Sequence, residues 1–248
     1  MNNYKGLILA AGRGSRMGKS TEKSHKCLTV LKGRTLLDWQ LSTLRKSGIK
    51  DITVIRGYRS EMLQGDFNTA ENPRWSETNM VATFFCAPEF KTDTIVSYSD
   101  IVYSYKHIED LIEQEGDIVI TADNKWFNLW SARFENPLED AETFKTVGNI
   151  LIEIGKKNDK MENIQAQYMG LLKFSPRGWN IASQLFNSLE KERQDKLDMT
   201  SFLSMLINQI EIKVAFVEGK WCEVDCYNDV ETYERILKEN NNWSHDWR

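Results

Sequence analysis

Residues 7–18 combine an apolar run, three glycines and the start of a cluster of cations. Residues 7–9 form a short apolar run typical of a buried strand. The glycines permit positive φ and close backbone approach, so that successive N–H groups can surround phosphate oxygens. The cations within this stretch and just after it are Arg13, Arg16, Lys19, Lys23 and Lys26. The sequence therefore predicts a nucleotide-phosphate site here rather than a plain glycine-rich turn.

Two well-known phosphate loops do not match this stretch. The Walker A motif needs a glycine where Arg13 stands, and residues 19–26 are too polar for the amphipathic helix that follows such a loop. The dinucleotide fingerprint G-x-G-x-x-G fails because Met17 takes the place of its third glycine. A P-loop kinase or ATPase is therefore disfavoured.

Two aspartates stand where a divalent cation could bind. Asp100 ends an apolar run at 93–98, and Asp225 follows a short run near the carboxyl terminus. Open α/β sheets place ligands at the carboxyl ends of their strands, and Mg²⁺ prefers one or two carboxylates with phosphates and waters. An aspartate after a strand is also a common turn residue, so each position alone remains open.

The elements that must position these residues follow an α/β pattern. A strand at 7–9, a helix capped by Thr35 and ended at Gly48, and a strand at 51–55 predict a right-handed βαβ unit. Further strands are predicted at 93–98, 117–122, 146–154, 167–174 and 213–217, and helices at 81–87, 107–114, 176–193, 199–209 and 229–239. We predict a single domain over 1–239, with an acceptor-side segment at about 123–175 and a frayed polar tail at 240–248.

Composition excludes several classes. The chain has 248 residues, a net charge of −4 and a pI near 5.6, which argues against a general nucleic-acid binder. No run approaches the ~18 apolar residues of a membrane helix, and the polar start is no signal peptide. The four cysteines lack zinc or redox spacing, which indicates reduced thiols. We expect a cytoplasmic protein, monomeric or homodimeric, without membrane or nucleic-acid partners.

Several motifs carry a family resemblance. L-A-A-G-x-G-x-R-M-G with a lysine about eight residues later resembles the signature of the MobA-like and sugar-nucleotide nucleotidyltransferases, although His25 replaces the usual proline. W-x-x-T-N-M at 75–80 and the stretch from 123 to 142 are similar to the phosphocholine and aminophosphonate cytidylyltransferases. E-V-D before N-D-V-x-x-Y resembles the family's closing motif. The resemblance implies a three-layer, Rossmann-like (GT-A-like) nucleotidyltransferase fold with a mixed, mainly parallel sheet.

The resemblance also implies roles for individual residues. Arg16 and Lys26 would be catalytic, acting on the leaving phosphates and on the α-phosphate. Asp100 and Asp225 would hold Mg²⁺, although Ser99 stands where the family usually has glycine before the first aspartate. The predicted nucleotide-binding residues are Leu9, Ala10, Ala11, Gly12, Gly14, Ser15, Arg16, Lys26, Thr78, Asn79 and Ser99. Taken alone, Thr78 and Asn79 are equally well explained as helix caps.

Residues 123–133 break the periodicity and mix aromatic with charged side chains, which suggests a wall that binds the acceptor. Aromatic rings with a carboxylate suit an ammonium group, and nearby cations suit a phosphate or phosphonate. The predicted acceptor-binding residues are Asp123, Lys125, Trp126, Trp130, Arg133, Tyr168 and Gly170, and Lys173 or Arg177 could bind the carboxylate of an amino-acid acceptor. Two core tryptophans in an irregular connection are the alternative.

We therefore expect a Mg²⁺-dependent cytidylyltransferase of cell-surface polysaccharide biosynthesis. It would join CTP to a small amine-bearing phosphorylated headgroup, such as phosphocholine, 2-aminoethylphosphonate or an amino-acid phosphate. The alternatives are a sugar-1-phosphate nucleotidyltransferase that uses UTP or dTTP, and a non-catalytic nucleotide-binding module.

Overall fold

A computed structural model describes residues 4–15, 17, 24–157 and 160–248. Its strands are β1 (Lys5–Ala10), β2 (Val30–Leu31), β3 (Arg34–Thr35), β4 (Ile52–Arg56), β5 (Asn68–Glu71), β6 (Thr94–Tyr98), β7 (Ile101–Tyr103), β8 (Ile118–Asp123), β9 (Glu142–Val147), β10 (Ile150–Lys157), β11 (Gln167–Phe174), β12 (Ile212–Val217) and β13 (Trp221–Glu223). Its α-helices are α1 (Leu36–Lys46), α2 (Met80–Phe84), α3 (Tyr105–Glu113), α4 (Trp126–Arg133), α5 (Pro176–Asn187), α6 (Lys191–Lys196), α7 (Met199–Leu206) and α8 (Tyr227–Glu239).

Within the described ranges, one large sheet has nine strands in the order β5-β4-β1-β6-β11-β8-β12-β10-β9. Strands β5, β4, β1 and β6 are parallel to one another, and β8 is parallel to β12. Strand β11 lies antiparallel between β6 and β8, and β9 and β10 form an antiparallel hairpin at one end. Because β6 and β8 both run antiparallel to β11, their carboxyl ends meet at the same edge of the sheet. The predicted mixed, mainly parallel α/β sheet is confirmed.

Helices cover both faces of this sheet. Apolar residues of α1, α3, α4 and α8 form one buried cluster, and those of α2, α5 and α7 form a second on the opposite face. Helix α1 begins as expected, since the Thr35 hydroxyl accepts a hydrogen bond of 3.0 Å from the Asp38 N–H. The fold is therefore three-layered, and the loops after β1, β6 and β8 are left free at one edge.

A second, two-stranded sheet lies beside this edge. Strand β13 pairs antiparallel with β7, with Trp221 opposite Tyr103 and Glu223 opposite Ile101. The Val224 N–H donates to the Asp100 carbonyl at 2.8 Å. This small sheet therefore brings the end of β13 to the turn that follows β6.

Local structure departs from the sequence-based expectations at several points. The stretch 123–133 is not irregular, because residues from Trp126 onward form α4 with Trp126, Leu129 and Trp130 buried. The strand predicted at 146–154 is the β9–β10 hairpin, turned at Gly148, whose φ is 59°. The helix predicted at 176–193 is two helices, α5 and α6.

The prediction of a frayed tail at 240–248 is wrong. The side chains of His245 and Trp247 are buried in the protein, and the Trp247 ring packs edge-to-face on Trp39 at 5.9 Å. Trp243 stacks obliquely on Tyr233 of α8 at 5.5 Å. These aromatic contacts supply the burial that a polar tail lacks. Among the described helices, none has both the length and the apolarity to cross a membrane.

Candidate active site

The loop after β1 begins the site. Gly14 adopts a φ of 65°, and a Cβ there would lie 2.7 Å from side-chain carbons of Lys26. Glycine is therefore required both by the backbone conformation and by the close approach of Lys26. Ser15 is exposed on the same loop, whereas Ala10 is buried at the end of β1. Arg16 lies outside the described residues, so its catalytic role stays a prediction.

A cavity of about 120 Å³ opens beside this loop. Five of the predicted nucleotide-binding residues line it: Leu9, Ala11, Gly12, Thr78 and Asn79. Trp75, Met80 and Thr83 complete the lining, although they were not predicted as site residues. Trp75 and Met80 belong to the W-x-x-T-N-M motif, so the motif could have identified them as site residues.

Thr78 and Asn79 also have structural partners. The Asn79 side chain accepts a hydrogen bond from the Met80 N–H at 2.8 Å and caps α2. Thr78 accepts from Asn72 and donates to the Arg74 carbonyl, both at 2.9 Å. Asn79 therefore caps a helix, as the alternative interpretation held. Both Thr78 and Asn79 nevertheless line the cavity beside the loop after β1.

Lys26 is held between the two predicted metal ligands. Its Nζ lies 2.8 Å from Asp100 Oδ2 and 2.8 Å from Asp225 Oδ1, and the side chain is buried. Burial alone would lower the pKa of Lys26, but the two carboxylates raise it above its usual value. Lys26 is therefore charged.

His25, which stands where the family usually has proline, fixes the backbone just before Lys26. Its Nδ1 accepts a hydrogen bond of 3.2 Å from the Cys27 N–H and caps a short 3₁₀ turn, Lys26–Leu28. Burial lowers the pKa of His25 to about 4, so the ring is neutral and Nδ1 can accept. The histidine thus supplies a cap that proline would not.

Arg133 closes the other side of the same cluster. Its guanidinium lies 2.8 Å from Glu223, 2.9 Å from Asp225 and 3.3 Å from Asp229, and the side chain is 1% exposed. Asp229 in turn accepts from the Asp225 N–H at 2.7 Å. The prediction that Arg133 contacts the acceptor's phosphate is wrong, because three carboxylates surround its guanidinium.

The acidic cluster, defined as Asp100, Glu223 and Asp225, fits a divalent cation. Each residue offers one carboxylate oxygen, and these oxygens lie within 4.8 Å of one another. Asp100 Oδ1 is buried and lacks a hydrogen-bond partner in the part of the chain that the structure describes. Hard carboxylate oxygens are the ligands that Mg²⁺ prefers.

Charge counting supports this fit. The acidic cluster and Asp229 carry four carboxylates when ionised, against the two positive charges of Lys26 and Arg133. Burial and the charge of Asp225 raise the pKa of Glu223 to about 7, against the opposing effect of Arg133. Glu223 was missed as a candidate ligand, although its place two residues before Asp225 was visible in the E-V-D motif.

A second cavity of about 200 Å³ reaches the acidic cluster. Glu223 and Asp225 line one end, and the predicted residues Trp130, Tyr168 and Gly170 line it as well. The rest of its wall is formed by Tyr98, Asp140, Glu142, Thr143, Phe144, Ile154, Gln167, Met169, Thr200 and Trp221. We call this space the acceptor cavity, after the predicted acceptor residues that line it.

The acceptor cavity is acidic and aromatic. Its described lining contains no lysine or arginine. Among the described residues, the Thr200 hydroxyl donates to the partly exposed Glu142 carboxylate at 3.4 Å. Burial and the charges of Asp198 and Asp140 raise the pKa of Glu142, against the hydrogen bond from Thr200. The cavity therefore suits a positively charged group.

Gly170 lines the cavity, and its neighbours also require a glycine at this position. A Cβ there would lie 2.6 Å from the Tyr98 ring. Its φ of 78° accompanies a break in the pairing of β11 with β8. Gly170 therefore lets the two neighbouring strands carry Tyr98 and Tyr168 to the cavity, their rings edge-to-face at 5.8 Å.

The other predicted acceptor residues lie outside the cavity. Asp123 is fully buried and hydrogen-bonded, Trp126 packs in the core, and Lys125 faces solvent 3.4 Å from Glu218. The core-tryptophan alternative is therefore correct for Trp126. Lys173 is buried and donates to the Gln114 carbonyl, and Arg177 pairs with Asp117, so neither lines the cavity. Ser99 lies in the turn beside Asp100.

A phosphate-type loop, an acidic cluster and two cavities along one sheet edge define a nucleotide-dependent transferase. Residues 6–156 match the family of MobA-like NTP transferase domains. The chain belongs to this family, and it is a nucleotidyltransferase. This confirms the resemblance inferred from the motifs.

Several of the similar proteins are cytidylyltransferases named for phosphorylated headgroups. The chain is 37% identical over 245 residues to CTP:phosphoglutamine cytidylyltransferase of Campylobacter jejuni, covering 91% of this chain and 97% of that protein. It is 33% identical over 101 residues to a choline-phosphate cytidylyltransferase of Haemophilus influenzae, covering 39% and 43%. The inositol-1-phosphate CTP transferase of T. maritima has the same fold, with a TM-score of 0.73 at 17% identity, covering 96% and 97%.

Proposed function

We propose that this protein is a Mg²⁺-dependent cytidylyltransferase that acts on a small phosphorylated acceptor carrying an ammonium group. A phosphate oxygen of the acceptor attacks the α-phosphorus of CTP, the bond to the bridging oxygen breaks, and pyrophosphate leaves. The products are a CDP-activated headgroup and pyrophosphate. The observation that carries the proposal is the acidic cluster, which lies next to Lys26 and forms one end of the acceptor cavity.

The loop and the cavity beside it supply the nucleotide half of the site. Backbone N–H groups between Ala11 and Ser15 would face the triphosphate, and the cavity lined by Gly12 and Trp75 would take the nucleoside. Both reactants are anions, so positioning and charge neutralisation supply most of the rate enhancement. No nucleophilic side chain is needed, because the attacking oxygen is already ionised.

The acidic cluster would hold Mg²⁺ and Lys26 would neutralise the α-phosphate. Asp100, Glu223 and Asp225 provide the carboxylate oxygens, and when bound the metal supplies Lewis-acid stabilisation of phosphate charge. Lys26 lies between two of these carboxylates and carries a positive charge beside Asp225, which lines the acceptor cavity. Arg133 forms ion pairs with Glu223 and Asp225 and holds these two carboxylates in position.

Glu142 and the aromatic rings favour an acceptor with an ammonium group. The described wall of the acceptor cavity lacks cationic side chains, so an ammonium group there would meet the Glu142 carboxylate. Trp130 and Trp221 also line this space, and an aromatic ring face is worth about 0.5–2 kcal/mol to a well-placed cation.

A hydrogen-bond donor in the wall favours an amino-acid phosphate over phosphocholine. Trp130 lines the cavity, and its indole N–H is buried without a partner among the described residues. Such a donor suits a carboxylate or amide oxygen, which choline lacks. The likeness to a CTP:phosphoglutamine cytidylyltransferase over nearly the whole chain supports the same choice.

The test is pyrophosphate release from CTP, UTP, dTTP, ATP and GTP against a panel of acceptors. The panel contains phosphorylated glutamine, phosphoserine, phosphocholine, 2-aminoethylphosphonate and hexose 1-phosphates. We expect kcat/KM with CTP and an amino-acid phosphate to exceed that of every hexose 1-phosphate at least about tenfold. A preference for a hexose 1-phosphate contradicts the ammonium assignment, and the absence of pyrophosphate release with every pair contradicts the activity.

A further inference from the structure

Asp123 is the centre of a buried hydrogen-bond cluster that joins three distant segments. Oδ1 accepts from the Lys125 and Gly219 N–H groups, both at 2.8 Å. Oδ2 lies 2.9 Å from the Trp221 indole nitrogen and 2.9 Å from His245 Nε2. The loop after β8, strand β13 and the carboxyl-terminal tail therefore share one carboxylate.

The hydrogen bond to Asp123 places a proton on Nε2 of His245. Burial opposes ionisation of Asp123, but hydrogen bonds from His245, Trp221 and the Lys125 N–H hold the pKa of this carboxyl below its usual range. Because the ionised carboxylate only accepts, Nε2 of His245 carries a proton and donates. The other ring nitrogen lies 3.0 Å from the Ser244 hydroxyl.

The tail makes further contacts with the start of β13. The Ser244 carbonyl accepts from the Lys220 N–H at 2.8 Å, and the His245 carbonyl lies 3.5 Å from the Cys222 Sγ. A Cβ on Gly219 would lie 2.4 Å from the Ser244 carbonyl oxygen, so only glycine fits under the tail. The tail is therefore fastened along the segment from 219 to 222.

Trp221 connects this cluster to the acceptor cavity. Its indole nitrogen donates to Asp123, and the residue also lines the cavity. Its ring lies 6.2 Å from that of Trp130, a second cavity residue. Strand β13 is only three residues long, and its ladder is with β7, so the tail and Asp123 are a large part of its support.

We propose that the carboxyl-terminal tail positions the wall of the acceptor cavity. His245 orients Asp123, Asp123 fixes the indole of Trp221, and Trp221 sets the shape of the cavity beside Glu223. His245 is thus a positioning residue for the acceptor, more than 120 positions from its partner in sequence. The assignment of this cavity to the acceptor rests on the proposed function.

The test compares two substitutions of His245 with a control in the same tail. His245→Ala removes the donor to Asp123, whereas His245→Gln can replace it. Arg248→Ala breaks an ion pair with Asp246 that lies within the tail and makes no contact with Asp123. We expect His245→Ala to raise KM for the acceptor about tenfold, with KM for CTP within about twofold of wild type. His245→Gln should recover most of the change, and Arg248→Ala should show none.

A second variant and a spectroscopic readout do not depend on turnover. Trp221→Phe removes the donor to Asp123 but leaves the tail and its histidine in place. The indole N–H signal that is absent from the NMR spectrum of Trp221→Phe identifies the signal of Trp221 in wild type. This N–H should exchange its hydrogen with solvent faster in His245→Ala than in wild type. If His245→Ala fails to fold, Trp221→Phe must itself raise KM for the acceptor and not for CTP.

Each outcome bears on a separate claim. An acceptor KM within twofold of wild type in His245→Ala, or an equal rise for both substrates, overturns the positioning role and leaves the tail merely structural. Unchanged exchange of the Trp221 indole overturns it as well. If wild-type protein releases no pyrophosphate with any acceptor, the proposed function fails, whereas the exchange experiment still tests the link from His245 to Trp221.

Discussion

Two carboxylate clusters lie at the same edge of the sheet and differ in how fully their oxygens are paired. Asp123, the last residue of β8, is fully buried, and its two oxygens accept four hydrogen bonds from described residues. Asp100, after β6, belongs to a cluster with more carboxylates than cations and keeps one buried oxygen without a partner in the described structure. The first cluster is complete as folded, whereas the second is suited to bind a cation.

The number of hydrogen bonds that each carboxylate accepts indicates which of the two aspartates is suited to bind a ligand. Both aspartates lie at the carboxyl ends of buried strands, and the sequence analysis assigned Asp100 to the metal and Asp123 to the acceptor. Buried polar groups in folded proteins are almost always hydrogen-bonded, so an unpaired buried oxygen needs an explanation. A bound cation explains the oxygen of Asp100, whereas nothing about Asp123 calls for a ligand.

The largest effect is expected from Asp100→Asn. Loss of one carboxylate from the acidic cluster should lower kcat/KM about a thousandfold, because a bound metal supplies several kcal/mol of charge stabilisation. The measurement is kcat/KM against Mg²⁺ concentration, with the melting temperature as a folding control. Activity near that of wild type, or full activity in excess chelator, contradicts the metal site.

Lys26→Ala should lower kcat by about 10²–10³, the usual cost of removing one donor that stabilises developing charge. It should also destabilise the protein when metal is absent, because Asp100 and Asp225 lose the cation between them. Thermal unfolding with and without Mg²⁺ tests this, and Mg²⁺ should restore much of the lost melting temperature. Near-normal turnover would remove Lys26 from the site.

Asp123→Asn should act on stability rather than on the metal. The amide nitrogen would face N–H donors, and the loss of a buried acceptor of four hydrogen bonds should cost roughly 3 kcal/mol of unfolding free energy. Urea unfolding gives this value, and the Mg²⁺ dependence of kcat should match that of wild type. A changed metal dependence with unchanged stability would reverse the assignment of the two clusters.

Glu142→Gln should have the smallest effect, raising KM for an ammonium-bearing acceptor about tenfold without changing KM for CTP. Because the pKa of Glu142 is raised, its charge is lost at a higher pH than for an ordinary glutamate. In wild type, KM for the acceptor should therefore rise as the pH falls through that raised pKa. The acceptor phosphate titrates in both proteins, so the difference between the two pH profiles isolates Glu142. Parallel profiles would exclude an ion pair with Glu142.

The loop after β1 could be recognised from the sequence because its residues are close together along the chain. The loop after β1 carries its own glycines, and local backbone conformation determines much of its geometry. Asp100 could be placed because it follows a strand of the parallel sheet, and the ends of such strands share an edge. Asp225 reaches it through the antiparallel pairing of β13 with β7. The strands of the main sheet could be predicted from their apolar runs, because the burial pattern of a strand is visible in a few consecutive residues.

Most of the wall of the acceptor cavity could not be predicted in the same way, because tertiary contacts bring its residues together. Glu142, Thr200 and Trp221 come from β9, α7 and β13, and no spacing in the sequence links them. The stretch from Trp126 to Arg133 was taken for an irregular wall, although its apolar residues follow the helical period of i, i+3 and i+4. Whether a buried arginine meets a substrate or three carboxylates depends on partners far along the chain.

The position of β11 has a consequence for biosynthesis. The family match ends at residue 156, yet β11 lies between β6 and β8 and pairs with both. A ribosome-bound chain that ends before residue 167 therefore exposes a hydrophobic strand edge on β6, and β8 has neither of its sheet neighbours. Such edges invite aggregation, so the nascent protein depends on rapid completion of its last third or on a chaperone that covers these edges. Expression of residues 1–157 alone should accordingly yield insoluble protein.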